Sequence, residues 1–255
     1  MKNRIYVIGM GPGKEEMMTM EALHALEQSD VIVGYTVYIK LLGERFSDKT
    51  LLTTPMRQEE ERCRLCFEEA GKGHQVSLIC SGDAGIYGLA SLMYEVGKDY
   101  PDTEVYVIPG ITAASSGAAV LGAPLNHDFC VISLSDLLTP WKKIEKRLLA
   151  AAEGDFAIAI YNPSSHKRKD YLQKACDILL MVLEPERPCG YVENIGREGT
   201  HSVTCTLGEL KDAEVNMFTT VFVGNQGTEI IGGKLVTKRG YQIEKNTDFC
   251  RDNGR

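Results

Sequence analysis

The residues best suited to hold a small molecule stand in one glycine-rich segment, SGDAGIYGLA, at positions 81–90 of the 255-residue sequence. An apolar run typical of a buried strand, VSLIC, precedes the segment, and a helical pattern of apolar residues follows it. Glycine lets the backbone approach a ligand closely, and the carboxylate of Asp83 can accept hydrogen bonds from hydroxyl or amine groups. Open α/β folds place ligand sites at such strand ends. An ordinary strand-to-helix turn capped by Asp83 explains the same residues equally well.

A second glycine turn, GMGPG, follows the first predicted strand, at positions 9–13. Its spacing differs from the G-x-G-x-x-G of dinucleotide-binding turns, and Asp30 precedes the second predicted strand, whereas the ribose-binding acid of those folds follows it. These departures argue against a Rossmann dehydrogenase, although they still predict a tight turn against a ligand. Loops at 109–113 and 161–164 also follow predicted strands, and parallel strands bring such loops to one edge of a sheet. We therefore expect one ligand to contact all of these loops.

The sequence offers no obvious catalytic nucleophile or metal centre. It contains no Ser/His/Asp order and no cluster of metal ligands, so we expect a bound cofactor to supply the reactive group. Cys63 and Cys66 form a CxxC in a highly charged predicted helix, but no second pair and no histidine pair completes four ligands. We therefore predict no metal site, and we expect the eight cysteines to be free thiols.

Composition narrows the classes of partner. The formal net charge of −7 argues against a general nucleic-acid binder, because phosphate contacts need a basic surface. Hydrophobic residues make up 44% of the chain and charged residues 25%, which is the balance of a soluble globular protein. No apolar run approaches the length of a transmembrane helix, and the first residues do not resemble a secretory signal. We therefore expect no membrane partner and a cytoplasmic location.

Strands, helices and glycine turns alternate regularly up to about residue 125, a pattern that predicts a parallel sheet covered by helices. A second α/β unit of similar size follows. We place the first domain at residues 1–120, the second at 121–240 and a tail without periodicity at 241–255. The predicted fold class is α/β. The predicted strands lie at 4–8, 31–33, 50–53, 76–80 and 103–108, and then at 129–134, 155–160, 188–192, 201–206 and 219–223.

The segments GMGPG, SGDAGIYGLA, PGITAASSGAA and TTVFVG, in this order between residues 4 and 225, resemble those of the tetrapyrrole methylases. Those enzymes use S-adenosylmethionine to methylate ring intermediates of cobalamin and sirohaem synthesis. The segments GAPLNHDFCVISLSDLLTPW, YNPSSHKR and VENIGREG resemble the branch of the family that methylates C-17 of precorrin-3B, or of its cobalt-containing counterpart, and contracts the ring. Two alternatives stay open: a tetrapyrrole methylase that acts at another ring carbon, and a non-catalytic nucleotide-binding sensor.

The resemblance implies two αβα domains, each with a mostly parallel sheet, with S-adenosylmethionine in the cleft between them. It also implies a tetrapyrrole substrate and a homodimer. One departure from the family is visible: Ala84 stands where many relatives have proline, which should loosen the turn slightly without removing a ligand contact. Carried over by position, the cofactor-binding residues are Pro12, Gly82, Asp83, Ile86, Tyr87, Thr112, Ala113, Asn162, Asn194 and Thr219.

Methyl transfer from a sulfonium needs alignment more than acids or bases, whereas ring contraction needs proton movement by a group that titrates near neutrality. His127 is the first candidate for that role, although a capping or core-edge histidine is an equal alternative. Asp136 is a second candidate, and Ser135 is a candidate substrate contact. Arg168 and Arg197 are candidates to pair with substrate carboxylates, although basic residues near a helix start are more often solvated surface.

Overall fold

A computed structural model describes residues 3–165 and 167–242, which contain thirteen strands and eight α-helices. Of the predicted tail, residues 243–255 lie outside the described residues. The strands are β1 (Asn3–Gly9), β2 (Val31–Tyr35), β3 (Thr50–Thr54), β4 (Val76–Cys80), β5 (Thr103–Ile108), β6 (Gly122–Ala123), β7 (Phe129–Ser133), β8 (Ala157–Tyr161), β9 (Pro188–Glu193), β10 (His201–Thr206), β11 (Thr219–Val223), β12 (Thr228–Ile231) and β13 (Lys234–Thr237). The helices are α1 (Met20–Gln28), α2 (Thr36–Leu41), α3 (Glu59–Gly71), α4 (Ala90–Val96), α5 (Ala113–Leu121), α6 (Trp141–Glu153), α7 (Tyr171–Leu179) and α8 (Leu207–Leu210).

The first sheet confirms the α/β fold class and the parallel sheet predicted for the first half. Its strand order is β3-β2-β4-β1-β5, and all of its pairings are parallel. Ile5 and Val7 of β1 pack with α3 and α4 on one face, and Ile8 packs with α1 and α2 on the other. Because successive strand residues point to opposite faces, a sheet covered by helices on both sides has apolar residues on both. This is why the central strand β4 is buried along its whole length.

The second sheet is mixed, and here the prediction of a mostly parallel sheet needs correction. Its order is β10-β9-β11-β8-β7, and only the β7–β8 pairing is parallel. The physical reason is the direct connection from β9 to β10, which has no intervening helix and therefore forms an antiparallel pair. Helices α6, α7 and α8 pack on one face of this sheet.

Helix α5 covers the other face of the second sheet. Its Ala114, Ala118 and Leu121 pack against Val192 and Phe222. The helix comes so close that a Cβ built on Gly117 would lie 2.9 Å from the Phe222 ring. The run of small residues in this segment therefore reflects tight packing of a buried helix.

A third, small sheet joins β12, β13 and β6 and was not predicted. Its strands have two to four residues, and Ile230 and Ile231 are exposed, so the apolar pattern gives little signal. Helix α7 begins at Tyr171, so the basic residues at 167–169 stand in the turn before it. Among the described residues, no helix has both the length and the apolar character needed to span a bilayer.

Candidate cofactor and substrate site

The glycine loops that follow β1, β4 and β5 are joined by backbone contacts. Gly11 and Gly82 exchange two hydrogen bonds, N–H to C=O, at 3.0 and 2.7 Å. Gly82 has φ +70°, a conformation that disfavours any residue with a side chain. A Cβ on Gly110 would lie 2.2 Å from the Gly82 carbonyl oxygen, so only glycine fits there. The predicted convergence of these loops is therefore present at the carboxyl edge of the first sheet.

Asp83 ties two of these loops together. Its Oδ1 accepts hydrogen bonds from the backbone N–H groups of Gly85 (2.8 Å) and Ile86 (3.0 Å). Its Oδ2 accepts one from the N–H of Gly110 (2.9 Å), in the loop after β5. The carboxylate thus shapes the loop 81–88 and fixes its distance to the neighbouring loop. The geometry gives Asp83 a positioning role beside any contact with a ligand.

Side chains from the loops of each sheet cross to the other sheet. The Arg197 guanidinium, in the loop after β9, donates to the Pro12 carbonyl (3.3 Å) and to Ser81 Oγ (3.3 Å). In the opposite direction, the Tyr87 hydroxyl donates to the Val131 carbonyl in β7 (3.1 Å). The loops that hold the candidate residues therefore meet where the two sheets face each other.

Tyr161, the last residue of β8, fixes the start of α5. Its hydroxyl accepts a hydrogen bond from the Ala114 N–H (2.6 Å) and shares another with the Thr112 hydroxyl. Its ring lies 5.4 Å from that of Tyr87, centroid to centroid. Burial raises the pKa of the Tyr161 phenol, so it is protonated at neutral pH. Thr112 and Ala113, two cofactor candidates, are therefore positioned by a residue that the sequence analysis did not single out.

The candidates from the second sheet, Asn162, Asn194 and Thr219, lie at one end of that sheet. Asn162 follows β8, Asn194 follows β9, and Thr219 at the start of β11 pairs with Glu193 at the end of β9. The two asparagines adopt φ values of +54° and +50°, which a short polar side chain tolerates better than others. Asn162 Nδ2 donates to Ser133 Oγ (2.9 Å), and the buried Thr219 hydroxyl donates to Glu193 (3.3 Å).

Several large apolar side chains around these loops are exposed. Ile86 and Ile111 follow β4 and β5, and Met217 and Phe218 precede β11, with exposed fractions between 36% and 44%. Exposed apolar groups beside backbone polar groups suit a nucleoside whose side chain carries a sulfonium and an amino-acid end. The residues present therefore fit the cofactor that the sequence predicts.

A large cleft adjoins the same loops. Its volume is about 1970 Å³, above the range of roughly 300–1000 Å³ usual for drug-sized ligands. Of the predicted residues, those that line the cleft are Tyr87, Ser135, Asp136, Asn162 and Arg168. The remaining cofactor candidates belong to the same or adjoining loops but lie outside the cleft wall. This arrangement can seat a large ligand next to a smaller one.

Arg168 and Asp136 are paired with each other at the cleft wall. The Arg168 guanidinium donates to Asp136 Oδ1 (3.3 Å) and to Ser135 Oγ (2.9 Å). The Tyr171 hydroxyl donates to Asp136 Oδ2 (2.6 Å), and this bond, together with the nearby Arg168 charge, lowers the pKa of the Asp136 carboxyl. Asp136 is therefore ionised at neutral pH, so within its predicted acid–base role it could accept a proton but would not start as a donor. Arg168 already has a carboxylate partner.

His127 is not brought to the site. It precedes β7, whereas Ser133 and the cleft lie at the other end of that strand. The six-residue separation corresponds to about 20 Å along a strand. The imidazole is about half exposed, and its Nδ1 accepts the Asp128 backbone N–H (2.9 Å). This placement supports the alternative of a local capping histidine over the predicted acid–base role.

Cys63 and Cys66 are both fully buried in the core that α3 forms with the first sheet. Burial raises the pKa of the Cys63 thiol to about 12 and that of Cys66 well above its ordinary value, so both stay protonated. In the described part of the chain, no group of three or more His, Cys, Asp or Glu residues could hold a metal ion. Cys63 and Cys66 are packing residues.

Comparisons with known proteins agree with this architecture. Residues 4–211 match the family described as Tetrapyrrole (Corrin/Porphyrin) Methylases. A probable cobalt-factor III C(17)-methyltransferase of Salmonella typhimurium is 48% identical over 238 residues, which cover 93% of this chain and 99% of that protein. A precorrin-3B C(17)-methyltransferase of a Sinorhizobium species is 35% identical, with 91% of this chain and 92% of that protein covered. The crystal structure of the methyltransferase CobJ superposes with a TM-score of 0.86 at 37% identity, covering 92% of this chain and 100% of that one.

The chain belongs to the tetrapyrrole methylase family. It is therefore a methyltransferase, as the glycine loops and their order predicted. Of the residues at the site that the sequence analysis missed, two had a usable signal in the sequence. Tyr161 stands at the end of a predicted strand, directly before a candidate residue, and that position was a usable signal. Arg62 lies on the buried face of α3 with Cys66, one helical turn away, and this spacing was the signal there.

Proposed function

We propose that the protein transfers a methyl group from S-adenosylmethionine to C-17 of a precorrin-3B-type ring, with ring contraction, in cobalamin biosynthesis. The observation that carries the proposal is the 48% identity with the Salmonella C(17)-methyltransferase over nearly the whole of both chains. Relatives named for C-17 favour this carbon over another ring position, and they favour an enzyme over a non-catalytic sensor.

The cobalt-containing form of the substrate is the better supported one. The relative named for cobalt-factor III is 48% identical, whereas the relative named for precorrin-3B is 35% identical. The large cleft has room for a tetrapyrrole, and its wall adjoins the loop 81–88. A homodimer and a cytoplasmic location remain predictions from the sequence.

The bound cofactor would supply an electrophilic methyl group on a sulfonium, and the chain would supply alignment. In this proposal, Pro12, Gly82 and the backbone shaped by Asp83 hold the cofactor on the side of the first sheet. Thr112 and Ala113, fixed by Tyr161, hold it at the start of α5. In-line displacement needs the reacting atoms about 3 Å apart, so rigid loops contribute directly to the rate.

The remaining candidates take the following places in the proposal. The apolar side chains, with Ile86 among them, contact the nucleoside, and Tyr87 separates it from the substrate cleft. Three residues at one end of the second sheet, Asn162, Asn194 and Thr219, close the site from the opposite side. Ser135 and its paired Arg168 form part of the substrate wall. This pattern describes binding and exclusion of water, which is what a methyl transfer asks of the protein.

The decisive experiment incubates the protein with S-adenosylmethionine and either trimethylated precorrin or its cobalt complex. We expect a product that is one methyl group heavier, with a changed absorption spectrum and with S-adenosylhomocysteine released in equal amount. The position of a ¹³C-labelled methyl group, read by NMR, distinguishes C-17 from other carbons. A methyl group at another carbon would replace the proposal by the first alternative, and binding without transfer to either substrate would replace it by the second.

A further inference from the structure

Arg62 is a buried cation whose hydrogen-bond partners in the described part of the chain are all neutral. Arg62 is 4% exposed. Its Nε donates to the Thr54 hydroxyl (2.8 Å), and its Nη2 donates to the Pro55 carbonyl (2.9 Å). Its guanidinium also lies 5.8 Å from the centre of the Tyr35 ring. All of these partners are neutral. Among the described residues, no carboxylate lies within 4.0 Å of it.

Arg197 has the same unusual environment on the facing side. It donates to the Pro12 carbonyl and the Ser81 hydroxyl, and its guanidinium lies 4.9 Å from the centre of the Phe218 ring. Burial lowers the pKa of this guanidinium, although it stays charged at any physiological pH. Within residues 3–165 and 167–242, no carboxylate is in ion-pair distance of Arg197 either.

Other arginines of this chain have carboxylates within ion-pair distance. Arg187 is 6% exposed, nearly as buried as Arg62, and it pairs with Glu184 (2.9 Å) and Asp155 (3.5 Å). Arg168 pairs with Asp136 at the cleft. Removing a charge from water is unfavourable unless a counter-charge replaces the lost hydration. Among the described residues, Arg62 and Arg197 have no such counter-charge, so an anion bound in the cleft would complete their environment.

Arg62 lines the cleft, whereas Arg197 contacts two residues that line it, Ser81 and Phe218. Tyr38 also lines the cleft. Burial raises the pKa of its phenol, and the positive charges of Arg197 and, to a smaller extent, Arg62 oppose that rise. The Tyr38 hydroxyl therefore remains protonated and can donate a hydrogen bond to a ligand in the cleft.

We propose that Arg62, Tyr38 and Arg197 form a subsite that binds a carboxylate of a ligand in the cleft. A guanidinium presents two parallel donors that match a carboxylate, and such charge-assisted bonds are the strong ones. The inference rests on the proposed function for its ligands, of which two carry a carboxylate: the tetrapyrrole substrate and the methionine end of the cofactor. The experiment separates these two sources.

Binding is measured separately for two probes, S-adenosylhomocysteine by calorimetry and the polycarboxylate uroporphyrin III by absorption titration. The test variants are Arg62→Lys, Arg62→Met and Arg197→Met, each with its thermal unfolding recorded. Arg64→Met is the control for the loss of a guanidinium from the cleft wall, because Arg64 lies on the same helix and lines the same cleft but is already paired with Glu60 and Asp99. Arg197 is only half buried, so its variant folds even where Arg62→Met does not.

For a substrate carboxylate we expect Arg197→Met and Arg62→Met to weaken uroporphyrin III binding about tenfold or more, with S-adenosylhomocysteine affinity unchanged. For the cofactor carboxylate we expect the same loss for S-adenosylhomocysteine instead. Arg62→Lys keeps the charge and should lose less in either case. Folded variants that bind both probes like the wild type, or like Arg64→Met, would overturn the subsite. These measurements do not require methyl transfer, so they test the subsite independently of the proposed C-17 reaction.

Discussion

At the scale of single residues, Asp83 shows how one carboxylate can serve both the fold and the site. Its three backbone hydrogen bonds join the loop after β4 to the loop after β5. Asp83→Ala should therefore weaken S-adenosylhomocysteine binding by about 1–3 kcal/mol, the effect of removing hydrogen bonds to a charged group. Calorimetry measures this loss, with the exposed Asp128→Ala as control. Wild-type affinity in the Asp83 variant would remove it from the site.

His127 gives a prediction of the opposite kind. Because it lies at the amino end of β7, away from the cleft, His127→Ala should leave the rates of methyl transfer and of ring contraction unchanged within about twofold. Single-turnover assays with mass detection resolve the two steps. A variant that accumulates a methylated but uncontracted ring would show that His127 takes part in the chemistry after all.

The Asp136–Tyr171–Arg168 cluster predicts a pH-dependent contribution to stability. The Tyr171 hydrogen bond and the Arg168 charge lower the folded-state pKa of Asp136 below its unfolded value of about 3.9. The stabilisation is thus present above about pH 4 and is lost as the pH falls through the lowered folded-state pKa. Asp136→Asn should reduce the free energy of unfolding at pH 7 by about 1 kcal/mol or less. A difference in Tm from wild type that persists unchanged near pH 2 would contradict this account.

At the scale of elements, apolar runs bounded by loops predicted the strands of the first sheet to within two residues, from β1 to β5. Strand direction in the second sheet was not predicted, because an apolar run has the same composition whichever way its neighbours run. The direct connection between β9 and β10, which contains no helix, was the feature that indicated an antiparallel pair. The hydrogen-bond partners of the side chains at the site could not be predicted from the sequence for another reason. Tyr161 and Thr112 are 49 residues apart in sequence, and only packing brings them together.

Helix α5 bears on where the domains divide. The predicted division at residues 120 and 121 leaves α5 with the first domain, although its apolar side packs on the second sheet. We propose that the division falls before α5, in the loop 109–112, so that a domain boundary and a cofactor loop coincide. The small third sheet agrees with this division, because β13 pairs with β6, the strand that directly follows α5.

Helix α3 carries a test of the CxxC. Cys63 and Cys66 are fully buried and protonated, so Cys63→Ala together with Cys66→Ala should retain methyl transfer. Replacing two buried thiols by smaller side chains should lower the free energy of unfolding by roughly 1–3 kcal/mol in total. Denaturant unfolding gives the loss, and elemental analysis of the wild type supplies the check. Stoichiometric zinc or iron that disappears in the double variant would show that the pair is a metal site.

At the scale of the whole molecule, the two sheets are connected at the site rather than away from it. Arg197 reaches from the second sheet to Pro12 and Ser81, and Tyr87 reaches from the first sheet to Val131. A ligand held between these loops contacts both halves. Its binding free energy therefore stabilises the folded state of both halves of the chain.

This connection leads to a prediction for thermal unfolding. A ligand that binds only the folded state at one hundred times its Kd stabilises that state by about 2.7 kcal/mol. For a chain of this size the gain corresponds to a rise in Tm of roughly 5–10 °C. We expect S-adenosylhomocysteine, with micromolar affinity, to produce this rise in a single cooperative transition, and NAD to produce none. Tyr87→Phe removes one connection between the sheets and should reduce the rise. A rise confined to one of two separate transitions would mean that the cofactor contacts only one half of the molecule.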